Sequence, residues 1–257
     1  MSVSLQAGRG APELALAFKA VRARVGVVAL LVALAGAAWW LSARRMGDMA
    51  GMAGMGAGGQ LGTLGWFVIT WIVMMAAMMF LSLAPTVALY ARITRRRGIE
   101  RPLLFAGGYL VVWGAAGAVA YGLFEAGRAL FGSELAWGRS GAAVAAGVVV
   151  AAALYQFTPW KNACLSRCRG PLGFILGCWR EGRAGALFMG ARHALWCLGC
   201  CWALMAALFA LGIMNLGWMA VVAALIALEK TLPWRALATS ATSLVMLGLA
   251  AALLAGA

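Results

Sequence analysis

Acidic residues and histidine are scarce in this chain of 257 residues, which contains seven Asp and Glu residues together and one His. The sequence has no recognisable paired-carboxylate site, no hydrolase triad and no phosphate-binding loop. These absences argue against hydrolytic, acid–base and phosphoryl-transfer chemistry. They favour a protein that is not an enzyme.

Charged residues of both signs make up only 11% of the chain, whereas hydrophobic residues make up 65%. This composition, with a mean hydropathy of +0.92, excludes an ordinary soluble domain and is typical of a polytopic helical membrane protein. The alternating ten-residue segments of a transmembrane β-barrel are missing. The net charge of +14 does not indicate nucleic acid as a partner, because the basic residues cluster between apolar segments. No cleavable signal peptide is evident.

Seven apolar segments are predicted to cross a bilayer: 25–42, 64–91, 102–124, 141–157, 185–214, 216–228 and 234–254. Between the fourth and fifth lies a segment whose apolar patch is too short to span, so we expect it along the cytoplasmic interface. The predicted fold is therefore an all-α membrane protein. Residues 1–24 form a cytoplasmic arm, and residues 25–257 form the membrane domain.

The basic residues predict the orientation. With the amino terminus in the cytoplasm, sixteen of the 21 Lys and Arg residues fall in cytoplasmic segments and four fall in external ones. Residues 92–101 alone carry five arginines. The pattern predicts a multi-pass protein of the bacterial inner membrane with an external carboxyl terminus and an external loop at residues 43–63.

That loop contains Met46, Met49, Met52 and Met55, one at every third position among Gly and Ala. Small residues make the loop flexible, and thioethers in such surroundings can wrap a soft cation such as Cu(I). The alternative is low-complexity sequence. In the second apolar segment, Met74, Met75, Met78 and Met79 repeat at helical spacing, which suits either core packing or a ligand stripe.

Soft ligands also line one face of the segment 185–214. Four of them are spaced by four, four and three residues, which places them together at 3.6 residues per turn: Met189, His193, Cys197 and Cys200. Two further soft ligands lie close to this face, namely Cys201 and Met205. Thiolate, thioether and imidazole are preferred by Cu(I) and Zn(II). The alternative is packing, since free cysteine behaves as a small hydrophobe. Cys164 and Cys168, one turn apart, are expected at the cytoplasmic face.

Three blocks of sequence carry a resemblance: MMAAMMFLSLAP at 74–85, YQFTPWKNACLSRCRGP at 155–171, and the block 190–230 that begins GARHALWCLGCCWALM. They are similar to the bacterial family of predicted metal-binding integral membrane proteins, a domain of unknown function. The resemblance covers most of residues 64–230 and implies metal binding at the Cys, His and Met positions. The arm and the methionine loop fall outside it.

Three functions compete on this sequence. The first is Cu(I) handling by transport, sensing or delivery, with metal passing from the external methionines through the helices to Cys164 and Cys168. Its expected partners are the lipid bilayer, the metal ion and an envelope metallochaperone or copper enzyme. Zinc fits less well, because zinc prefers closed Cys/His sites. The second is thiol–disulfide exchange at Cys197-x-x-Cys200. The third is a structural or assembly subunit whose cysteines only pack.

Overall fold

The computed structural model describes residues 25–44, 63–94, 98–131, 139–212, 216–232 and 234–255. These residues form nine helices and no strand, which confirms the predicted all-α class for this part of the chain. The helices are α1 (Val25–Arg44), α2 (Leu64–Ile93), α3 (Glu100–Phe131), α4 (Arg139–Tyr155), α5 (Pro159–Arg169), α6 (Pro171–Cys178), α7 (Gly182–Gly212), α8 (Leu216–Thr231) and α9 (Arg235–Ala255). The amino-terminal arm and the methionine loop lie outside the described residues.

Five of these helices are long and apolar enough to cross a bilayer, namely α1, α2, α3, α7 and α9. Helices α4 and α5 are long and apolar enough to cross a bilayer only when they are taken together. They are bent by 68° relative to each other, as in a broken span or a re-entrant loop. Helix α8 has 16 residues and is shorter than a typical span. Length and composition therefore give five or six spans in the described residues rather than the predicted seven.

Helix α7 is the central element, and it packs against α3, α4, α5, α6 and α8. Two glycines allow α3 and α7 to approach closely. A Cβ atom at Gly108 of α3 would overlap the carbonyl oxygen of Leu187, and one at Gly190 of α7 would overlap that of Phe105. Small residues at helix contacts permit this backbone approach in membrane proteins.

Tryptophan side chains connect α2 to its neighbours. Trp71 Nε1 donates to the carbonyl oxygen of Trp113 in α3 at 2.8 Å, and Trp39 Nε1 of α1 donates to the carbonyl oxygen of Ala77 at 3.0 Å. A buried indole N–H needs an acceptor, so these bonds satisfy each donor while the rings fill apolar space. They hold α2, with its four methionines, inside the core.

The turn between α4 and α5 directs a lysine inward. Thr158 caps α5, since its Oγ1 accepts a hydrogen bond from the Lys161 backbone N–H, and Pro159 occupies the first helical turn. The Lys161 Nζ then donates to both carboxylate oxygens of Glu229, at 2.8 and 2.7 Å, and to Gln156 Oε1. Lys161, Glu229 and Gln156 are all buried, so this ion pair fastens α5 to α8.

Helix α6 occupies the segment that was expected at the interface. Phe174 and Ile175 are buried, whereas Leu172 and Leu176 are exposed. The helix packs against α2, α5 and α7. Its exposed leucines therefore lie on the side away from these neighbours.

Candidate metal centre

Helix α7 brings three thiols together. Residues at i, i+3 and i+4 share one face of a helix, and Cys197, Cys200 and Cys201 have this spacing. Their sulfur atoms all lie within 4.8 Å of one another, and the Cys197 and Cys201 sulfurs are 3.9 Å apart. All three residues are buried, so this triad could hold a metal ion away from solvent.

Helix α5 adds a fourth thiol. Because α5 packs against α7, the sulfur of Cys168 lies 3.8 Å from that of Cys200. We call Cys168, Cys197, Cys200 and Cys201 the thiol cluster. The sequence predicted Cys164 and Cys168 as a separate cytoplasmic pair, but the structure places Cys168 beside the α7 cysteines.

Cys164 lies one turn before Cys168, at the half-buried rim of the same helix contact. Gly199 of α7 makes room for its sulfur, because a Cβ atom at position 199 would lie 2.6 Å from Cys164 Sγ. The Tyr155 hydroxyl donates to the Gly199 carbonyl oxygen at 2.7 Å and holds the end of α4 at the same point. Cys164 is thus a more accessible thiol next to the buried cluster.

The sulfur separations fit a soft metal ion. With a metal–sulfur bond of about 2.3 Å, two sulfurs lie about 3.8 Å apart in a tetrahedral site and about 4.0 Å apart in a trigonal one. Two pairs match this range, since Cys168 and Cys200 are 3.8 Å apart and Cys197 and Cys201 are 3.9 Å apart, and the three α7 sulfurs stay within 4.8 Å of one another. All six cysteines are free thiols, so no disulfide withholds any of these sulfurs from a metal ion.

A lysine and a tyrosine reach the cluster from other helices. Lys230 Nζ of α8 donates to Cys197 Sγ at 3.1 Å and to Ser82 Oγ of α2 at 3.1 Å. The Tyr109 hydroxyl of α3 lies 3.0 Å from the same sulfur. The sequence analysis did not assign Lys230, Ser82 or Tyr109 to the site. The available signal was Lys230 itself, an ionisable residue at the end of an apolar helix.

His193 occupies an aromatic pocket one turn before Cys197. Its ring centroid lies 4.8 Å from that of Phe174, 6.1 Å from that of Phe105 and 6.2 Å from that of Tyr109. The residue is buried, and its Nδ1 has no hydrogen-bond partner among the described residues. A buried nitrogen without a partner is costly, so this atom is available to a ligand.

The predicted methionine ligands divide into two groups. Those in the helices are all buried in the same core as the cysteines, namely Met74, Met75, Met78, Met79, Met189 and Met205. Ser82 donates to the Met79 carbonyl oxygen at 2.9 Å and accepts from Lys230, which brings this part of α2 close to the cluster. Met46, Met49, Met52 and Met55 lie outside the described residues.

Comparison with known proteins gives one finding that bears on the metal. The sequence model of the PpoB2 family, described as a copper chaperone, matches residues 68–253. This range contains every cysteine and the histidine. No curated protein and no solved structure matches the chain.

Proposed function

Because this chain belongs to the PpoB2 copper chaperone family, we propose that it is a membrane protein that binds Cu(I) at its thiol cluster and delivers it to a partner protein. The observation that carries the proposal is the convergence of four buried thiols from α5 and α7, with Cys168 3.8 Å from Cys200 and Cys197 3.9 Å from Cys201. Such soft ligands favour Cu(I), and copper is here the cargo rather than a resident cofactor.

Insertion in a bilayer is part of this proposal. It is supported by the five helices that are apolar enough to span, and by large apolar side chains on their outer faces, such as Val111, Leu123, Leu195 and Leu244. Exposed apolar surface of this extent is unfavourable in water and suits contact with lipid. The seven-span arrangement, with α8 and the bent α4–α5 pair as the additional spans and the amino terminus in the cytoplasm, belongs to the same proposal.

The order of ligands suggests a route for the ion. Methionines of the external loop would collect Cu(I), buried methionines of α2 and α7 would pass it inward, and the thiol cluster would retain it. Thiolates bind soft metals more tightly than thioethers do, so affinity rises along this route. Cys164, at the rim of the α5–α7 contact, is the accessible thiol through which the ion would be exchanged with a partner.

The test is Cu(I) binding by purified protein in detergent without oxygen, in competition with a Cu(I) chelator. We expect wild-type protein to bind copper and a Cys197→Ser, Cys200→Ser, Cys201→Ser triple variant to lose at least about tenfold in affinity, since each lost thiolate removes a ligand. Cys178→Ser is the matched control, because Cys178 lies in α6 outside the cluster. Wild-type affinity in the triple variant would exclude the cluster as the copper site.

A second function is favoured by the same distances. Cys197 and Cys200 have the C-x-x-C spacing, and Cys200 lies close to Cys168, so two thiols could be oxidised to a disulfide while a partner disulfide is reduced to two thiols. Stoichiometric copper in the purified protein supports the first function. A redox-dependent gel shift in metal-free protein supports the second. If neither copper nor a redox-dependent shift were found, the remaining interpretation would be that the cysteines only pack.

A further inference from the structure

The ammonium group of Lys230 is placed to influence which ion the thiol cluster accepts. It lies 3.1 Å from Cys197 Sγ and donates to Ser82 Oγ at the same distance. With a metal–sulfur bond of about 2.3 Å, an ion on Cys197 would lie at most about 5.4 Å from this nitrogen. At that separation, the charge of the ion affects the stability of the complex.

The neighbouring charges leave this ammonium available to the cluster. Glu229 is the adjacent residue, but both of its carboxylate oxygens accept hydrogen bonds from Lys161 of α5. The groups that contact Lys230 from α2 and α7 are the Ser82 hydroxyl and the Cys197 thiol, and the Tyr109 hydroxyl of α3 lies on the same sulfur. Among the described residues, the Lys230 ammonium therefore contacts the Cys197 sulfur and the Ser82 hydroxyl rather than a carboxylate.

Charge counting distinguishes a univalent from a divalent ion. Two thiolates and Cu(I) carry a net charge of −1, which the ammonium neutralises. Two thiolates and Zn(II) are already neutral, so the ammonium leaves a net charge of +1 in a buried site, which is unfavourable. Zinc regains neutrality only with a third thiolate, at the cost of another proton.

We propose that Lys230 is a specificity-determining residue that makes the thiol cluster prefer univalent Cu(I) over divalent Zn(II). This inference rests on the proposed function, since it assumes that the cluster is the metal site. At about 5 Å and an effective dielectric constant of about 20, one additional unit charge changes affinity by about a hundredfold. Lys230 is half-buried, so solvent reduces this effect, and we expect at least about tenfold.

The experiment measures the affinities of Cu(I) and Zn(II) separately, each with a competing chelator and without oxygen, and compares their ratio among variants. Lys230→Leu removes the charge without adding a metal ligand, and Lys230→Gln also keeps hydrogen-bonding capacity. Both should lower the Cu(I)-to-Zn(II) affinity ratio by at least about tenfold. Lys230→Arg keeps the charge and should preserve the ratio.

Arg183→Met is the control for general loss of positive charge, since Arg183 is exposed and pairs with Glu100 away from the cluster. The Cu(I)-to-Zn(II) affinity ratio of Arg183→Met should equal that of wild type. An unchanged affinity ratio in Lys230→Leu or Lys230→Gln would overturn the inference, and so would an equal fall in Lys230→Arg, even if wild-type protein still bound copper. Wild-type protein that bound no copper would instead refute the proposed function.

Discussion

Replacing Lys161 by Met should destabilise the protein strongly, because the Glu229 carboxylate would remain buried without its cation. Lys161 is 0% exposed and Glu229 is 2% exposed, and the shortest separation of their charged atoms is 2.7 Å. Removing one member of a buried pair typically costs about 3–5 kcal/mol. For a chain of this size, each kcal/mol lowers Tm by about 2–4 °C, so we expect a fall of about 6–20 °C.

The double variant Lys161→Met, Glu229→Leu distinguishes the cost of the unpaired charge from the cost of altered packing. Replacing a buried ion pair by apolar residues of similar volume is often neutral, so the double variant should recover most of the lost Tm. The assay is thermal unfolding in detergent, followed by helical circular dichroism. Arg183→Met, which breaks an exposed ion pair, should leave Tm unchanged.

Two results would refute this reasoning. A single variant with wild-type Tm would mean that Glu229 finds another partner or loses its charge without cost. A double variant as unstable as the single variant would place the loss in the packing around Lys161, including its bond to Gln156, rather than in the uncompensated charge.

The remaining predictions concern the helix contact, the loop and the orientation. Gly199→Ala should destabilise the protein by about 1–3 kcal/mol, measured as unfolding in detergent, because its methyl group would overlap Cys164 Sγ; adding Cys164→Ala should relieve most of the loss. Replacing the methionines at 46, 49, 52 and 55 together by Leu should weaken copper uptake at low copper without changing Tm, and unchanged uptake would reduce the loop to low-complexity sequence. An impermeant thiol reagent applied from outside should label a cysteine placed at Gly54 and spare one at Gly98; the opposite labelling would reverse the topology.

The α7 face could be predicted from sequence because its information is local. Spacings of three and four residues along one helix place Cys197, Cys200 and Cys201 together whatever surrounds the helix. The family match over residues 68–253 agrees with the copper hypothesis that these ligand types favoured. The helical spacing of the α2 methionines suits ligation or packing equally, and the structure buries all four of them in the core.

The other parts of the site depend on contacts that no local pattern encodes. Cys168 joins the cluster because the chain bends by 68° between α4 and α5. Lys230 and Tyr109 meet Cys197 across 33 and 88 positions of the chain, respectively. From the sequence alone, Glu229 and Lys230 at the end of an apolar segment suit either a solvated helix end or a partly buried acid facing the cysteine helix. The structure buries the acid against α5 instead and directs the lysine to the cysteine.

Glu229 and Lys230 are neighbours in α8, yet they contact different helices, and this links copper binding to the position of α5. Glu229 holds Lys161 of α5, while Lys230 touches Cys197 of α7. Copper shared by Cys168 and Cys200 would join α5 to α7 directly. The buried ion pair and the metal would therefore stabilise the same arrangement of helices.

Thermodynamic linkage makes this connection measurable. If the ion pair positions Cys168, its loss in Lys161→Met weakens copper binding, and copper must then raise the Tm of this variant less than it raises the Tm of wild type. The matched variant is Cys168→Ser, which removes the α5 ligand and keeps the ion pair, and it should show a similarly small rise. If copper raised the Tm of wild type and of Lys161→Met equally, α5 would dock without help from the ion pair, and the metal centre and the ion pair would be energetically independent.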